Sequence, residues 1–325
     1  MANVVAKPRK WKNKAILIKV ENTVGTDAVP DGAADWIEAR NVEFTPFDVT
    51  TVDRQIEKPF MGNGGTLPTG FYATLSFSAA VVGPGVAGDI PKISPVLQAC
   101  GLAETVDAGT SVIYNLASQS NTAVTIYINI DGVLHKMLGA RGTLTLTMER
   151  QGIPMYRFEY QSAYVAPVDQ SPPTVDMTGW PVEQPVGSKT TSGLIVSGGS
   201  LAVPFTLAYS TMSFTQANQL TRIDLPGPQV EVAITDRQPT CTATVLSPEG
   251  LAGFDPFALA QAGENLTFTT TQDINRAGYK VQADIKGTIT GAAYASGGID
   301  GLLAYELTIT PTPVDGDDEF ALTYL

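Results

Sequence analysis

His135 is the sole histidine in the 325 residues, which restricts the chemistry this chain can perform. A nucleophile, base and acid triad, or a metal centre built on imidazoles, would have to borrow a partner from another chain. Cys100 and Cys241 stand in no metal-type spacing and read as buried free thiols. Gly83-Pro84-Gly85-Val86-Ala87-Gly88 spells the glycine fingerprint of a dinucleotide site. That site needs a helix N-terminus directly after the glycines to receive a pyrophosphate, and Asp89-Ile90-Pro91 opens at best a short helix outside any βαβ unit. The stretch therefore reads as a flexible hairpin loop. Asp315, Asp317, Asp318 and Glu319 lack the spacing of a calcium loop and read as a solvated tail or as a docking point for another chain's basic arm. No carboxylate pair stands out for acid and base work. The residues point away from an enzyme and from any cofactor, and towards a structural or binding role.

Charge narrows that role. Residues 1 to 14 hold Lys7, Arg9, Lys10, Lys12 and Lys14 with no acid, so removing this +5 arm takes the net charge of -12 to -17. A clustered basic field of the kind that grips phosphates is missing from the body. No run of about 18 apolar residues marks a membrane helix, and the basic N-terminus has no apolar stretch behind it, so folding in a cytoplasm is expected.

The elements that must position these residues are read as strands. With 31 Gly, 22 Pro and abundant Thr and Val, the composition favours an all-β fold. In a meander from Ala123 to Tyr164, Val124, Ile126, Ile128 and Ile130 alternate with polar residues, Asp131-Gly132 marks a turn, and Leu144, Leu146 and Met148 and then Tyr156, Phe158 and Tyr160 continue the alternation. Ala15 to Val20 is a short strand, a bulged strand runs from Trp36 to Phe47, and Phe71 to Val82 is another. Asp48 to Gly70 is not strand-like and reads as a long functional loop. Helices are expected over Ile90 to Leu102 and over Asp255 to Ala262, the latter with Asp before Pro as its start signal.

Length predicts two domains, and the sequence echoes itself. Val42-Glu43-Phe44-Thr45 resembles Met212-Ser213-Phe214-Thr215, Ala73-Thr74-Leu75 resembles Ala243-Thr244-Val245, and Ala28-Val29-Pro30 resembles Ala202-Val203-Pro204. Gly142-Thr143-Leu144-Thr145 lines up with Gly287-Thr288-Ile289-Thr290, and Tyr156 to Glu159 with Leu303 to Glu306; Tyr279 to Ile285 takes the place of the meander's first strand. The expected division is a basic arm (1–14), a β domain (15–165), a proline-rich linker (166–190), a second and shorter β domain (191–314) and an acidic tail (315–325). The second domain's own long loop falls at Gln216 to Gln238.

Three stretches, Gly25 to Pro30, Ile37 to Pro46 and Gly139 to Gly142, together with this order of elements, resemble the major tail tube proteins of long-tailed, non-contractile bacteriophages. The resemblance covers residues 15 to 164 best and 191 to 310 more faintly. It implies tandem β-sandwich or β-barrel domains, each with a flanking helix. It implies self-association into stacked rings around a DNA channel, with three chains of a duplicated member supplying six domains. It also implies a virion tail assembled in a bacterial cytoplasm, with tape measure, tail terminator and distal tail proteins as neighbours and no membrane. An acidic wall agrees with such a channel. Duplex DNA carries about one charge per 1.7 Å, and an acidic surface repels it within a screening length of about 8 Å.

On this reading Arg54, Glu57, Lys58, Phe60, Met61 and Asn63 form a ring-stacking loop, with Phe60 and Met61 as its apolar anchor. Arg9, Lys10, Trp11 and Lys12 supply arm contacts. Glu159 and Glu306, at matching places on non-core faces, are candidates to line the channel. The alternatives are a tail-tip or capsid decoration protein and a carbohydrate-binding sandwich; the latter wants an exposed aromatic platform, whereas Trp11, Trp36 and Trp180 are scattered in sequence.

Overall fold

A computed structural model describes residues 8–119, 122–227, 230–251 and 253–325. The first seven residues of the expected arm, Lys7 included, lie outside it. The protein is all-β, with nineteen strands and two short helices among the described residues. The first half contains β1 (Lys14–Val20), β2 (Arg40–Asp53), β3 (Thr66–Ala80), α1 (Ser94–Gln98), β4 (Leu102–Asp107), β5 (Ser111–Leu116), β6 (Val124–Ile130), β7 (Val133–Glu149), β8 (Met155–Tyr164) and β9 (Val168–Asp169). The second contains β10 (Leu194–Gly198), β11 (Phe205–Leu207), β12 (Tyr209–Thr215), β13 (Asn218–Asp224), β14 (Val230–Arg237), β15 (Thr240–Leu246), α2 (Pro256–Ala262), β16 (Asn265–Gln272), β17 (Val281–Tyr294), β18 (Ala304–Pro311) and β19 (Phe320–Tyr324).

Every pairing is antiparallel, and the order of pairing is the same in both halves. In the first, neighbours run β2, β3, β8, β7, β6, β1. The outer edge of β1 meets the residues just before β2, where Ile37 donates to Ile16 and Ile18 to Asp35, so the sheet curls almost closed. In the second, neighbours run β12, β15, β18, β17, β16, β10, and β11, just before β12, pairs with the outer edge of β10. β9 prolongs the lane of β8 along β7, as β19 prolongs that of β18 along β17. The matched alternation of the two sequences thus folds into matched topology. The expected placing of Tyr279 to Ile285 needs correction: it enters the first half of β17, and the counterpart of β6 is β16, with Leu266 and Phe268 turned into the core.

Local chemistry sets the boundaries. Asp131 and Gly132 take φ of 46° and 95°, the two left-handed residues a tight β6–β7 hairpin needs. α2 starts where Asp255 accepts from the N–H groups of Phe257 and Ala258, and stops at Gly263 in the left-handed region. α1 is far shorter than the thirteen residues expected. Pro95 stands at its start, no side chain caps it, and Gly101 at φ 79° ends the turn before β4.

Three expectations are overturned by burial and pairing. About half of residues 48 to 70 is strand: β2 and β3 pair out to Asp53 and Thr66, leaving a tip of 54–65. Residues 216 to 238 form a second hairpin, β13–β14, rather than a loop. The acidic tail ends in a core strand, since β19 lies between β17 and β5 with Phe320, Leu322 and Tyr324 at 1% exposure or less. Nor does each half keep its own core; a contiguous apolar cluster runs through both. The proline-rich segment lies along the first half, where Asn129 donates to the Gln170 carbonyl, Lys92 to that of Thr178, and Arg40 pairs with Glu183 at 2.7 Å.

Candidate assembly surfaces

The two halves are joined edge to edge. β12 of the second half pairs with the C-terminal part of β7, from Thr211 opposite Glu149 to Thr215 opposite Thr145. This joint makes β2, β3, β8, β7, β12, β15, β18 and β17 one continuous eight-stranded run. A second joint pairs β5 with β19, and behind it the Phe214 and Phe320 rings stack at 3.9 Å and the Tyr156 and Tyr324 hydroxyls meet at 3.1 Å.

The glycine motif closes a third contact between the halves. Gly83 and Gly85 donate their backbone N–H groups to the carbonyls of Tyr279 and Gly278 at 3.2 and 2.9 Å. A Cβ on Gly83 would sit 2.7 Å from the backbone of Tyr279, so glycine is there for close approach. The stretch is a clasp rather than the flexible loop expected.

Because strand side chains alternate, the eight-stranded run has one core face and one outward face. The outward face is dominated by hydroxyls, among them Thr143, Thr145 and Thr147 on β7, Thr242 on β15, and Thr308 and Thr310 on β18. Glu159 on β8 and Glu306 on β18 are exposed on it, along with Glu43 and Glu149, and Arg157 donates to Glu159 at 3.2 Å. Glu159 and Glu306 share the face but are not at matching places. Glu159 pairs with Ser76, whereas Glu306 pairs with Thr244, whose counterpart Thr74 faces Gln161. Thr143, opposite Glu159, echoes Thr288, which faces Thr310 rather than Glu306, so the offset is an even number of residues and the face is preserved.

The β2–β3 hairpin projects from one end of this run, and its outer part exposes apolar side chains on both strands: Phe47, Val52, Leu67 and Phe71. At the tip Phe60 and Met61 are 67% and 103% exposed, Lys58 donates to the Asn63 carbonyl at 2.9 Å, and Arg54 donates its N–H to Gly65. Arg54 and Glu57 flank this apolar end on the same 54–65 segment. At the base, Arg222 of β13 pairs with Asp48 at 2.8 Å and covers the Tyr72 ring, so the two hairpins brace each other.

Residues 8 to 14 lie across the β6–β7 turn. Asp131 accepts from the Lys10 N–H at 2.6 Å and the Asn13 amide at 2.9 Å, bonds that hold its carboxyl below the usual range. Arg9 pairs with the exposed Asp169 at 3.2 Å, and Lys14 caps the face of Trp11, which stays 61% exposed. Lys12 lies with Trp11 beside a pocket floored by Ile16 and Val42. His135, against the edge of the Phe44 ring, is pushed down by burial and by Arg9.

Several of the remaining charged groups are paired internally. Among Asp315 to Glu319, Asp317 and Glu319 pair with Arg237 and Asp318 pairs with Lys286 at 2.9 Å. Among the described residues no group of three His, Cys, Asp or Glu side chains could hold a metal ion. Both cysteines are buried thiols, with their pKa raised to about 12 by desolvation. A cleft of about 680 Å³ between the halves is lined by Cys100, Ser118, Gln216, Asn218, Arg237 and Glu319, and the Ser118 hydroxyl donates to the Asp317 carboxylate. Trp36 and Trp180 pack edge to face at 6.2 Å, and Trp36 lines the same pocket as Trp11. No family model and no curated protein sequence matches the chain. Among the described residues no helix is long and apolar enough to cross a membrane.

Sequence reasoning located the exposed tip and the outward glutamates. It missed the joints, because strands that meet from distant parts of a chain leave no local signal, and it missed the hydroxyl face, whose threonines read as ordinary strand formers.

Proposed function

We propose that this protein is the structural subunit of a bacteriophage tail tube, its copies forming rings that stack around a passage for double-stranded DNA. The observation that carries the reading is the outward face of the eight-stranded run. A wall of hydroxyls with sparse, mostly acidic charge offers few anchors to a polyanion, and neither base readout nor phosphate clamping has the groups it needs. The exposed apolar hairpin suits ring-to-ring contact, since a small interface draws affinity from a few buried anchors within a polar rim. Three chains with two repeated halves each would place six similar β units around the channel.

Negative-stain microscopy of the purified protein tests this. Rings with three copies, alone or stacked, are the expected result; a monomer that persists at high concentration overturns it. Replacing Glu159 and Glu306 together by lysine tests the wall. Tubes should still form, but DNA should be retained, with a salt dependence that steepens by about one unit of slope for each phosphate a new lysine engages. Normal DNA release at low salt would remove these two carboxylates from the channel.

A further inference from the structure

The edge-to-edge joint inside the chain has an unused equivalent at each end. β12 corresponds to β2 and β7 to β17, by sequence echo and by pairing order. Among the described residues, β12 is paired on both edges, by β15 and β7, whereas β2 is paired only by β3. β7 is paired beyond Arg141 by β8 on one edge and β12 on the other, whereas β17 beyond Thr288 is paired only by β18.

Burial follows the same asymmetry. Met212 and Phe214 are fully buried in the joint, while their counterparts Val42 and Phe44 remain partly exposed. Leu146 and Met148 on β7 are buried, while the end of β17 leaves Tyr294 at 59% exposure, in ring contact with Phe257 and Tyr305. One chain therefore presents a strand edge without a second strand at each extremity, with Val42 and Phe44 half-buried on β2 and Tyr294 of β17 exposed beside Phe257 of α2, which packs against β17.

We infer that a second copy of this chain occupies those edges: β2 of one copy pairs antiparallel with residues 290–294 of β17 in the next, repeating between chains the joint that β12 and β7 make within one. This deepens the ring reading above and rests on it, naming the contact by which copies join; it requires neither stacking nor DNA. Such a contact uses two different surfaces of one protein, the heterologous kind that closes into a ring or runs on as a filament, and it covers the edges that an isolated sheet leaves open to stray pairing.

Alternation limits the register. Phe44 must face the same core as the inward residues of β17, which past the bulge at Ile289/Gly291 are Ala292, opposite buried Leu307, and Tyr294, opposite buried Tyr305. Setting Phe44 against Ala292 places Val42 against Tyr294 and keeps five residues of β17 in pairing, the same number of pairs as in the internal joint. Setting Phe44 against Tyr294 would run Val42 past the end of the strand. On the outward face the chosen register puts Glu43 opposite Ala293, the counterpart of Ser213 opposite Thr147.

Single-cysteine variants test this between chains. Glu43→Cys and Ala293→Cys, prepared separately with different tags and then mixed and oxidised, should give a mixed disulfide in at least about tenfold higher yield than Glu43→Cys with Ala295→Cys, which reports a two-residue slip, because disulfide geometry tolerates little displacement. Ser213→Cys/Thr147→Cys in one chain, at the same place in the internal joint, should close within the chain and shows that the geometry admits the bond. Buried Cys100 and Cys241 leave the parent protein as the background. Rings seen by microscopy without the Glu43 and Ala293 cross-link overturn this contact and leave the ring reading standing. A protein that stays monomeric and uncross-linked overturns both. A dominant Ala295 cross-link overturns the register.

Discussion

Asp27 shows how single residues hold the first half together. Its carboxylate accepts from the Lys136 ammonium at 2.8 Å, the Tyr127 hydroxyl at 2.6 Å and the Val29 N–H at 2.9 Å. Burial raises its pKa, yet these bonds outweigh it and the net shift is downward. A carboxyl whose folded pKa lies below its unfolded value near 3.9 contributes stability that is fully present above about pH 4 and fades as pH falls through the folded value. Asp27→Asn should therefore lower the unfolding free energy at pH 7 by about 1–3 kcal/mol and flatten the acid limb of a melting curve taken from pH 6 to pH 2; an unchanged limb would mean that other carboxylates set it. Gly83 makes the opposite point, that an absent side chain can be structural. Gly83→Ala drives a Cβ into the Tyr279 backbone and should cost about 1–3 kcal/mol, read as a lower denaturant midpoint, whereas a flexible loop would tolerate it. The sequence of the motif could not disclose this, because the surface it closes against is supplied by residues 278 and 279.

Among the elements, legibility tracks how many faces are buried. β6, β8 and β18 have one apolar row or more and were readable from Val124, Tyr156 and Leu307 onward. The outer β2–β3 hairpin is exposed on both faces, so its residues carry no period of two and its strands read as loop. Alternation also fixes a face without fixing a register, which is why Glu306 lies on the expected side of the sheet but not at the place that matches Glu159. β19 was hidden by its acidic approach, although Phe320, Leu322 and Tyr324 alternate correctly. Deleting residues 320 to 325 removes three buried side chains worth about 2–5 kcal/mol each, comparable with the whole stability of about 5–15 kcal/mol typical of a domain; insoluble protein is expected, and a soluble, cooperatively melting truncation would return this segment to the status of a tail. Deleting Pro59 to Gly65 takes only the exposed tip. That variant should melt as the parent does and form rings that do not elongate, whereas normal tubes in micrographs would move the stacking contact elsewhere.

At the level of the whole molecule, the two halves share an order of strand pairing and differ in what is added to it. β4 and β5 follow α1, while only Gly263 and Glu264 separate α2 from β16. The junction inside the chain thus has two strand pairs, β7 with β12 and β5 with β19, where the proposed junction between chains would have a counterpart only for the first. The internal junction carries a further meaning for how copies would come together. Two separate units pay translational and rotational freedom, about 4–15 kcal/mol, to meet; when a linker already holds them, the effective concentration is in the range of about millimolar. Each chain arrives with one junction made in this way, so the proposed ring of six similar units would be reached by two encounters in solution, the third contact between chains closing within the complex. Assembly would then begin at a lower protein concentration than for six separate units, and the copies added would always come in pairs of alternating kind.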